Sequence, residues 1–216
     1  MSFSEQLRGE QDAVWQAQLG HPFVRAVIDG SLGPDRFGVW LQQDYLRLVD
    51  CVRLFGLACA RSPDADAMRW ATAAAHGVLH GEMLLHQAYA FVLAGSADEL
   101  GRAAKLPTTL ACTDHLLRVG GTGGYLELVA AVLPALWAPA EIGQRLRGGP
   151  TPSRRYGRWV DWYSGPGPAA LARRSRELLD RLAADSSPGE RARAASAFAH
   201  GSRYGWLFFE MCWGGA

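Results

Sequence analysis

Val39-Trp40-Leu41-Gln42-Gln43-Asp44-Tyr45-Leu46 lies inside a stretch from Pro34 to about Arg61 in which apolar residues recur at three- and four-residue intervals. That period is the signature of an amphipathic helix, and Pro34 suits its first turn, where a missing N–H costs nothing. The stretch also sets an acid, Asp44, among side chains that belong in an interior. A second acid is placed the same way, Glu210 in Trp206-Leu207-Phe208-Phe209-Glu210-Met211-Cys212-Trp213. An isolated buried carboxylate costs several kcal/mol or shifts its pKa. Arg47, at i+3, offers Asp44 a plain intrahelical ion pair. Glu210 has no basic residue within four positions on either side. If both face one cavity, they are candidates to bind a polar ligand or move protons; the competing reading is a solvated notch or a structural network.

Outward from this helix the same period continues, and strand signals are nearly absent. Helices are expected over 4–19, closed by Gly20, and over 22–28, ended by Asp29-Gly30. The next begins after Ser62-Pro63 and passes His76, His80 and His86 to Ala94, with Gly95 as its stop. A helix after Pro107 carries Thr113-Asp114-His115-Leu116 and breaks at Gly120-Gly121-Thr122-Gly123-Gly124. That glycine cluster lacks the preceding strand and the Gly-Lys-Ser/Thr ending of a phosphate loop. Further helices are expected over 125–146, 156–163, 169–184 and 189–213, with kinks at Pro134 and Pro139. Connections are short and no linker interrupts them, so the expectation is a single all-α domain over 1–216.

With 216 residues, 49% of them hydrophobic, the chain has enough apolar surface for one large core. The net charge is +1, Lys105 is the only lysine, and no basic run or basic recognition helix occurs. Nucleic-acid binding needs a concentrated positive face, so it is excluded. Cys51, Cys59, Cys112 and Cys212 form no ligand-like spacing and read as small hydrophobes. Residues 1–8 lack the apolar segment of a signal peptide, and no run of apolar residues approaches a membrane span. A soluble, reduced, cytoplasmic protein is expected.

A metal site has some support: His76 and His80 share a helix face at i,i+4, as do Glu82 and His86. A di-iron bundle, however, draws about four to six ligands from several helices. The later helices offer only His115 and His200, with no E-x-x-H pair, so no metal or other cofactor is expected and the histidines read as partly exposed. Haem ligation by His21 is weaker, since that residue only precedes Pro22 at a helix start. No G-x-S-x-G elbow or Cys-His neighbour supports a triad. Trp137, Tyr163, Phe208, Phe209 and Trp213 are dense enough to sandwich a flat heterocycle beside the acids, although aromatics at helical spacing commonly form core.

His21-Pro22-Phe23-Val24, Gly30-Ser31-Leu32, Phe37 and Trp40-Leu41-Gln42-Gln43-Asp44-Tyr45-Leu46 resemble the opening of the TenA/THI-4 (thiaminase II) family. The resemblance continues through Thr113-Asp114-His115-Leu116, Leu133-Pro134, Trp137, Glu141-Ile142-Gly143, Tyr156, Trp159, Tyr163 and Phe209-Glu210-Met211. It spans nearly the whole chain in order. It implies a haem-oxygenase-like helical bundle, a homo-oligomer (tetramer or dimer), and no metal or haem. It also implies hydrolysis of the bond between a 4-amino-5-methylpyrimidine and its leaving group, in thiamin or a thiamin breakdown product. Asp44 matches the family aspartate at the aminopyrimidine edge, Glu210 the C-terminal glutamate of proton transfer, and Tyr163 a pocket tyrosine. A glutamate among aromatics would have a raised pKa, which suits a proton donor.

The chain departs from that pattern at the reactive positions. Ala135 stands for the family cysteine, Pro139 for a tyrosine, Cys112 for a pocket tyrosine and Arg47 for an aromatic. A family branch without the cysteine relies on acids, but the sequence reveals no replacement acid. The leading expectation is therefore a TenA-like hydrolase without the usual nucleophile. Asp44 and Glu210 are its catalytic candidates, and Asp44, Tyr163, Trp137, Arg47, Cys112, Ala135 and Phe208 line its substrate site. Cys112 is read either as a relocated nucleophile or, more plainly, as an inert buried thiol. The rival is a non-catalytic or re-purposed small-molecule binding protein, with Arg47 favouring an acidic or phosphorylated ligand.

Overall fold

The structure, a computed structural model, describes residues 1–94, 96–98, 100–146 and 155–214. Gly95 lies outside them. Among the described residues every regular element is helical: α1 Phe3–Glu10, α2 Asp12–Leu19, α3 Pro22–Asp29, α4 Pro34–Ala60, α5 Ala65–Gly77, α6 Met83–Ala94, α7 Pro107–Thr122, α8 Tyr125–Leu146, α9 Gly157–Tyr163, α10 Pro166–Ala184 and α11 Pro188–Gly214.

Most boundaries follow local chemistry. Gly33 is extended and Pro34 opens α4, while Gly30 at φ 79° closes α3 in the left-handed region that glycine enters without strain. Asp64 caps α5 by accepting the Ala67 N–H at 2.8 Å. Two boundaries differ from the periodic pattern. The expected first helix is two, because Gln11 (φ −105°, ψ 16°) leaves helical geometry between α1 and α2. The expected helix through the histidines is interrupted by a π-helical turn, Val78–Glu82, between α5 and α6. Such a turn inserts one extra residue into the ladder and rotates the face that follows, and it is common at functional sites.

α8 forms the centre, packed between α10 and α11, and its helix runs unbroken through Pro134 and Pro139. Its 22 residues are long and apolar enough to cross a membrane by composition, but 67% of its most apolar window is buried inside the bundle. A Cβ at Gly143 would lie 1.9 Å from the Tyr163 carbonyl oxygen. Glycine there lets α8 touch the end of α9, and that contact fixes where Tyr163 sits.

Candidate active site

α4 buries Phe37, Trp40, Leu41, Leu48, Leu54 and Phe55, and the same inward stripe carries Asp44, only 2% exposed. Arg47, one turn on, donates from Nε (2.8 Å) and Nη2 (2.5 Å) to Asp44 Oδ1. The second carboxylate oxygen, Oδ2, faces His86 Nε2 at 2.9 Å. Burial alone would raise the Asp44 pKa, but the Arg47 charge and the His86 hydrogen bond outweigh it and hold the carboxyl below its usual range. Arg47 is correspondingly held as a cation, its guanidinium 5.7 Å from the Phe208 ring centre.

His86 is fully buried, and its Nδ1 lies 2.8 Å from the Glu82 carbonyl oxygen. Both ring nitrogens therefore face acceptors, a geometry that only the doubly protonated ring satisfies completely. Burial works against that charge, yet the Asp44 hydrogen bond and carboxylate raise the His86 pKa above its ordinary value. The π-turn places the Glu82 side chain beside the same cluster, where Tyr163 donates its hydroxyl hydrogen bond to Glu82 Oε1. Burial, then the Asp44 charge, pushes the Glu82 carboxyl up, so it holds its proton more tightly than an ordinary glutamate. Burial and the Glu82 charge push the Tyr163 hydroxyl up as well, which keeps it a donor.

These groups border two cavities. The smaller, about 60 Å³, is walled by Asp44, Arg47, Cys112, Phe208 and the indoles of Trp40 and Trp159. The larger, about 300 Å³, is walled by Glu82, Leu136, Trp162 and Leu171, with Arg174 at its edge. Ala135, Pro139 and Tyr163 belong to both walls. The thiol in the cavity wall is not activated: burial pushes Cys112 up to about 11, as it pushes Cys51 up to about 12 and raises Cys212 further.

Asp44, Arg47, Tyr163, Cys112, Ala135 and Phe208 are thus brought together, and two expected site residues are not. Trp137 lies two residues, roughly 200°, around α8 from Ala135. It packs edge-on against Trp15 at 5.3 Å and under Arg176 at 4.3 Å, away from both cavities. Glu210 is not buried among aromatics: its side chain is 47% exposed and pairs with His21 Nε2 at 3.0 Å. It lines neither cavity; Gly205 is the residue of α11 that faces the smaller one together with Phe208 and Phe209. The burial expected of Glu210 is therefore absent.

Three residues of the cluster were absent from the expected site. Glu82 and His86 share a face in the sequence, but that spacing suggests a metal pair rather than an acid and a buried imidazole. Among the described residues no group of three or more His, Cys, Asp or Glu is placed to hold a metal ion. His76, His80 and His200 are exposed, whereas His86 is not. Gln18, buried on α2 and lining the smaller cavity, carries no sequence signal at all.

Comparison with known proteins agrees with this arrangement of helices. The chain is 38% identical over 215 residues to the aminopyrimidine aminohydrolase of Halalkalibacterium halodurans, covering 99% of this chain and 96% of that protein. Its structure superposes on the crystal structure of a TenA family transcription regulator from Silicibacter sp. with a TM-score of 0.89 at 29% identity, covering 97% of this chain and 96% of that one. A domain with a heme oxygenase-like fold from Shewanella denitrificans gives a TM-score of 0.67 at 11% identity, covering 97% of this chain and 91% of that one. The fold is therefore the all-α, haem-oxygenase-like bundle. The TENA/THI-4/PQQC family model matches residues 9–215, and the chain belongs to that family.

Proposed function

We propose that the protein is a hydrolase of aminopyrimidine compounds, acting on thiamin or a thiamin breakdown product in thiamin salvage without an enzyme thiol. One observation carries this: Glu82, a carboxyl whose hold on its proton is strengthened by burial, accepts the Tyr163 hydrogen bond on the cavity wall beside Ala135. The aminohydrolase relative from Halalkalibacterium halodurans lends the substrate class.

With aminomethylpyrimidine, the ring's 4-amino nitrogen supplies the electron pair that expels the amine, protonated as it leaves, from the 5-methylene carbon; the thiazolium of thiamin leaves as a neutral thiazole and takes no proton. Water then adds to that carbon, and its proton replaces the one given to the departing group. Glu82 donates the first proton and recovers one from water, with the Tyr163 hydroxyl keeping it oriented. Asp44 holds Arg47 and His86 in place, and the aromatic walls, Phe208 among them, enclose the ring. Purified protein incubated with thiamin, with aminomethylpyrimidine and with formylaminomethylpyrimidine should release hydroxymethylpyrimidine from at least one. Release from none of them would remove the proposal.

The rival is a binding protein, and one observation favours it: both Asp44 oxygens are already engaged, by Arg47 and by His86. Arg47, a cation in the cavity wall, favours a carboxylate or phosphate. Tight binding of such a ligand by calorimetry, without turnover, is its expected signature.

The single-domain, homo-oligomeric, cytoplasmic reading is kept as part of the proposal. One core joins residues from α1 through α11. Leu84 (52% exposed) and Phe91 (67%), seven residues apart, share one face of α6, an exposed apolar pair suited to a second copy. The four free cysteines suit a reducing compartment.

A further inference from the structure

Arg47 and His86 already take three of the acceptor sites of Asp44, and Glu210 lies outside the cavity, so other polar groups on the wall are placed to share in recognising a ligand. Gln18 on α2 is 4% exposed and lines the smaller cavity. Its Oε1 is buried and has no hydrogen-bond partner among the described residues. Orphaned buried oxygens are rare in native interiors, because they have lost water and gained nothing in return. Trp159, 2% exposed and in the same wall, has an indole N–H in the same condition. The cavity is thus bordered by an unused acceptor and an unused donor.

The backbone of α11 makes room for that amide. A Cβ at Gly205 would lie 2.8 Å from Gln18 Nε2 and 2.9 Å from Oε1. Both contacts are closer than real side chains tolerate, so the amide occupies its place only because residue 205 is glycine. Gly205 itself lines the cavity, which sets the polar end of Gln18 at the cavity wall rather than within the helix packing.

We propose that Gln18 is a specificity-determining residue whose amide, laid over Gly205, reads the donor–acceptor edge of an amino-substituted nitrogen heterocycle. The inference rests on the aminopyrimidine reading above and names the group that performs the recognition. A primary amide presents C=O and N–H side by side, complementary to an exocyclic N–H beside a ring nitrogen. The same pairing lets glutamine read adenine in nucleic acids. A carboxylate offers only acceptors, so Gln18→Glu keeps the contact to the amino group and loses the one to the ring nitrogen.

The test is calorimetric binding of 4-amino-5-hydroxymethyl-2-methylpyrimidine and of the same ring lacking the 4-amino group. Wild type, Gln18→Leu and Gly205→Ala are compared, with circular dichroism reporting the fold. Wild type is expected to prefer the amino compound by about 10-fold, the worth of one good hydrogen bond between neutral groups. Gln18→Leu should reduce that preference to near unity, and Gly205→Ala, which evicts the amide from the opposite helix, should do the same. If one of the pair is misfolded, the other decides. A preference retained in a folded variant overturns the role of Gln18 and leaves the hydrolase proposal standing. Wild type that binds neither pyrimidine overturns both.

Discussion

His86 Nε2 stands 2.9 Å from Asp44 Oδ2 in a fully buried setting, while its other nitrogen faces the Glu82 carbonyl oxygen. The Asp44 carboxylate is therefore held between Arg47 on one oxygen and the His86 ring on the other. A buried charge is tolerable only when paired and hydrogen-bonded, and each member here supplies the other's compensation. The cluster ties α4 to the helix after the π-turn, and so sets the wall from which Tyr163 and Glu82 work.

Stability should peak on the acid side of neutrality. The folded state raises His86 above its ordinary pKa of about 6.5 and Glu82 above about 4.3, so it holds protons that the unfolded chain releases. The His86 contribution is complete below about pH 6.5 and disappears as pH rises through the raised value. Asp44 has the opposite sign: its contribution is present above about pH 3.9 and is lost as pH falls through its lowered pKa. Urea unfolding at pH 6 and pH 8.5 should give the lower stability at pH 8.5, and His86→Gln should flatten that difference. An unchanged slope in the variant would show that His86 is not the group responsible.

Arg47→Met is expected to destabilise the protein by about 3–5 kcal/mol, because it strands a buried carboxylate with one partner fewer. Adding Asp44→Asn should recover part of that loss, since no uncompensated charge then remains. A double-mutant cycle in denaturant measures the coupling. Simple additivity would mean that the 2.5 Å contact contributes little.

Cys112→Ala should leave turnover within about 2-fold of wild type, because a thiol pushed up to about 11 supplies almost no thiolate at pH 7. Iodoacetamide should label native Cys112 far more slowly than the unfolded chain. A large loss of activity in the variant, or rapid labelling, would restore Cys112 as a nucleophile.

Glu210→Gln should leave kcat nearly unchanged. The contact between its half-exposed carboxylate and the buried His21 ring is worth about 1 kcal/mol, and neither cavity described above includes the carboxylate. Turnover lowered by about 100-fold, the size of a lost acid–base group, would place Glu210 in the chemistry after all.

The bundle and half of its polar site are legible in the sequence because they depend on local chemistry. Pro34 and the apolar period define α4, and the i,i+3 spacing of Asp44 and Arg47 foretells their pairing. Trp137 and Glu210 look equally suitable by composition but sit on other sides of their helices. Two residues from Ala135, or five from Gly205, turn the side chain roughly 200° or 140° around the axis. Glu82 and His86 were visible only as a pair of ligand-type residues, because nothing in Val78–Glu82 announces a π-turn. Gln18 is legible only in three dimensions, through the glycine that faces it across two helices.

On the proposed mechanism Glu82 moves the protons and the reaction needs no nucleophilic thiol. The most direct test is kcat for hydroxymethylpyrimidine release from aminomethylpyrimidine, in wild type and in Glu82→Gln, with substrate affinity followed by calorimetry. Loss of general acid–base catalysis is expected to lower kcat by about 100-fold or more while binding changes little. Equal kcat in the two proteins would contradict it.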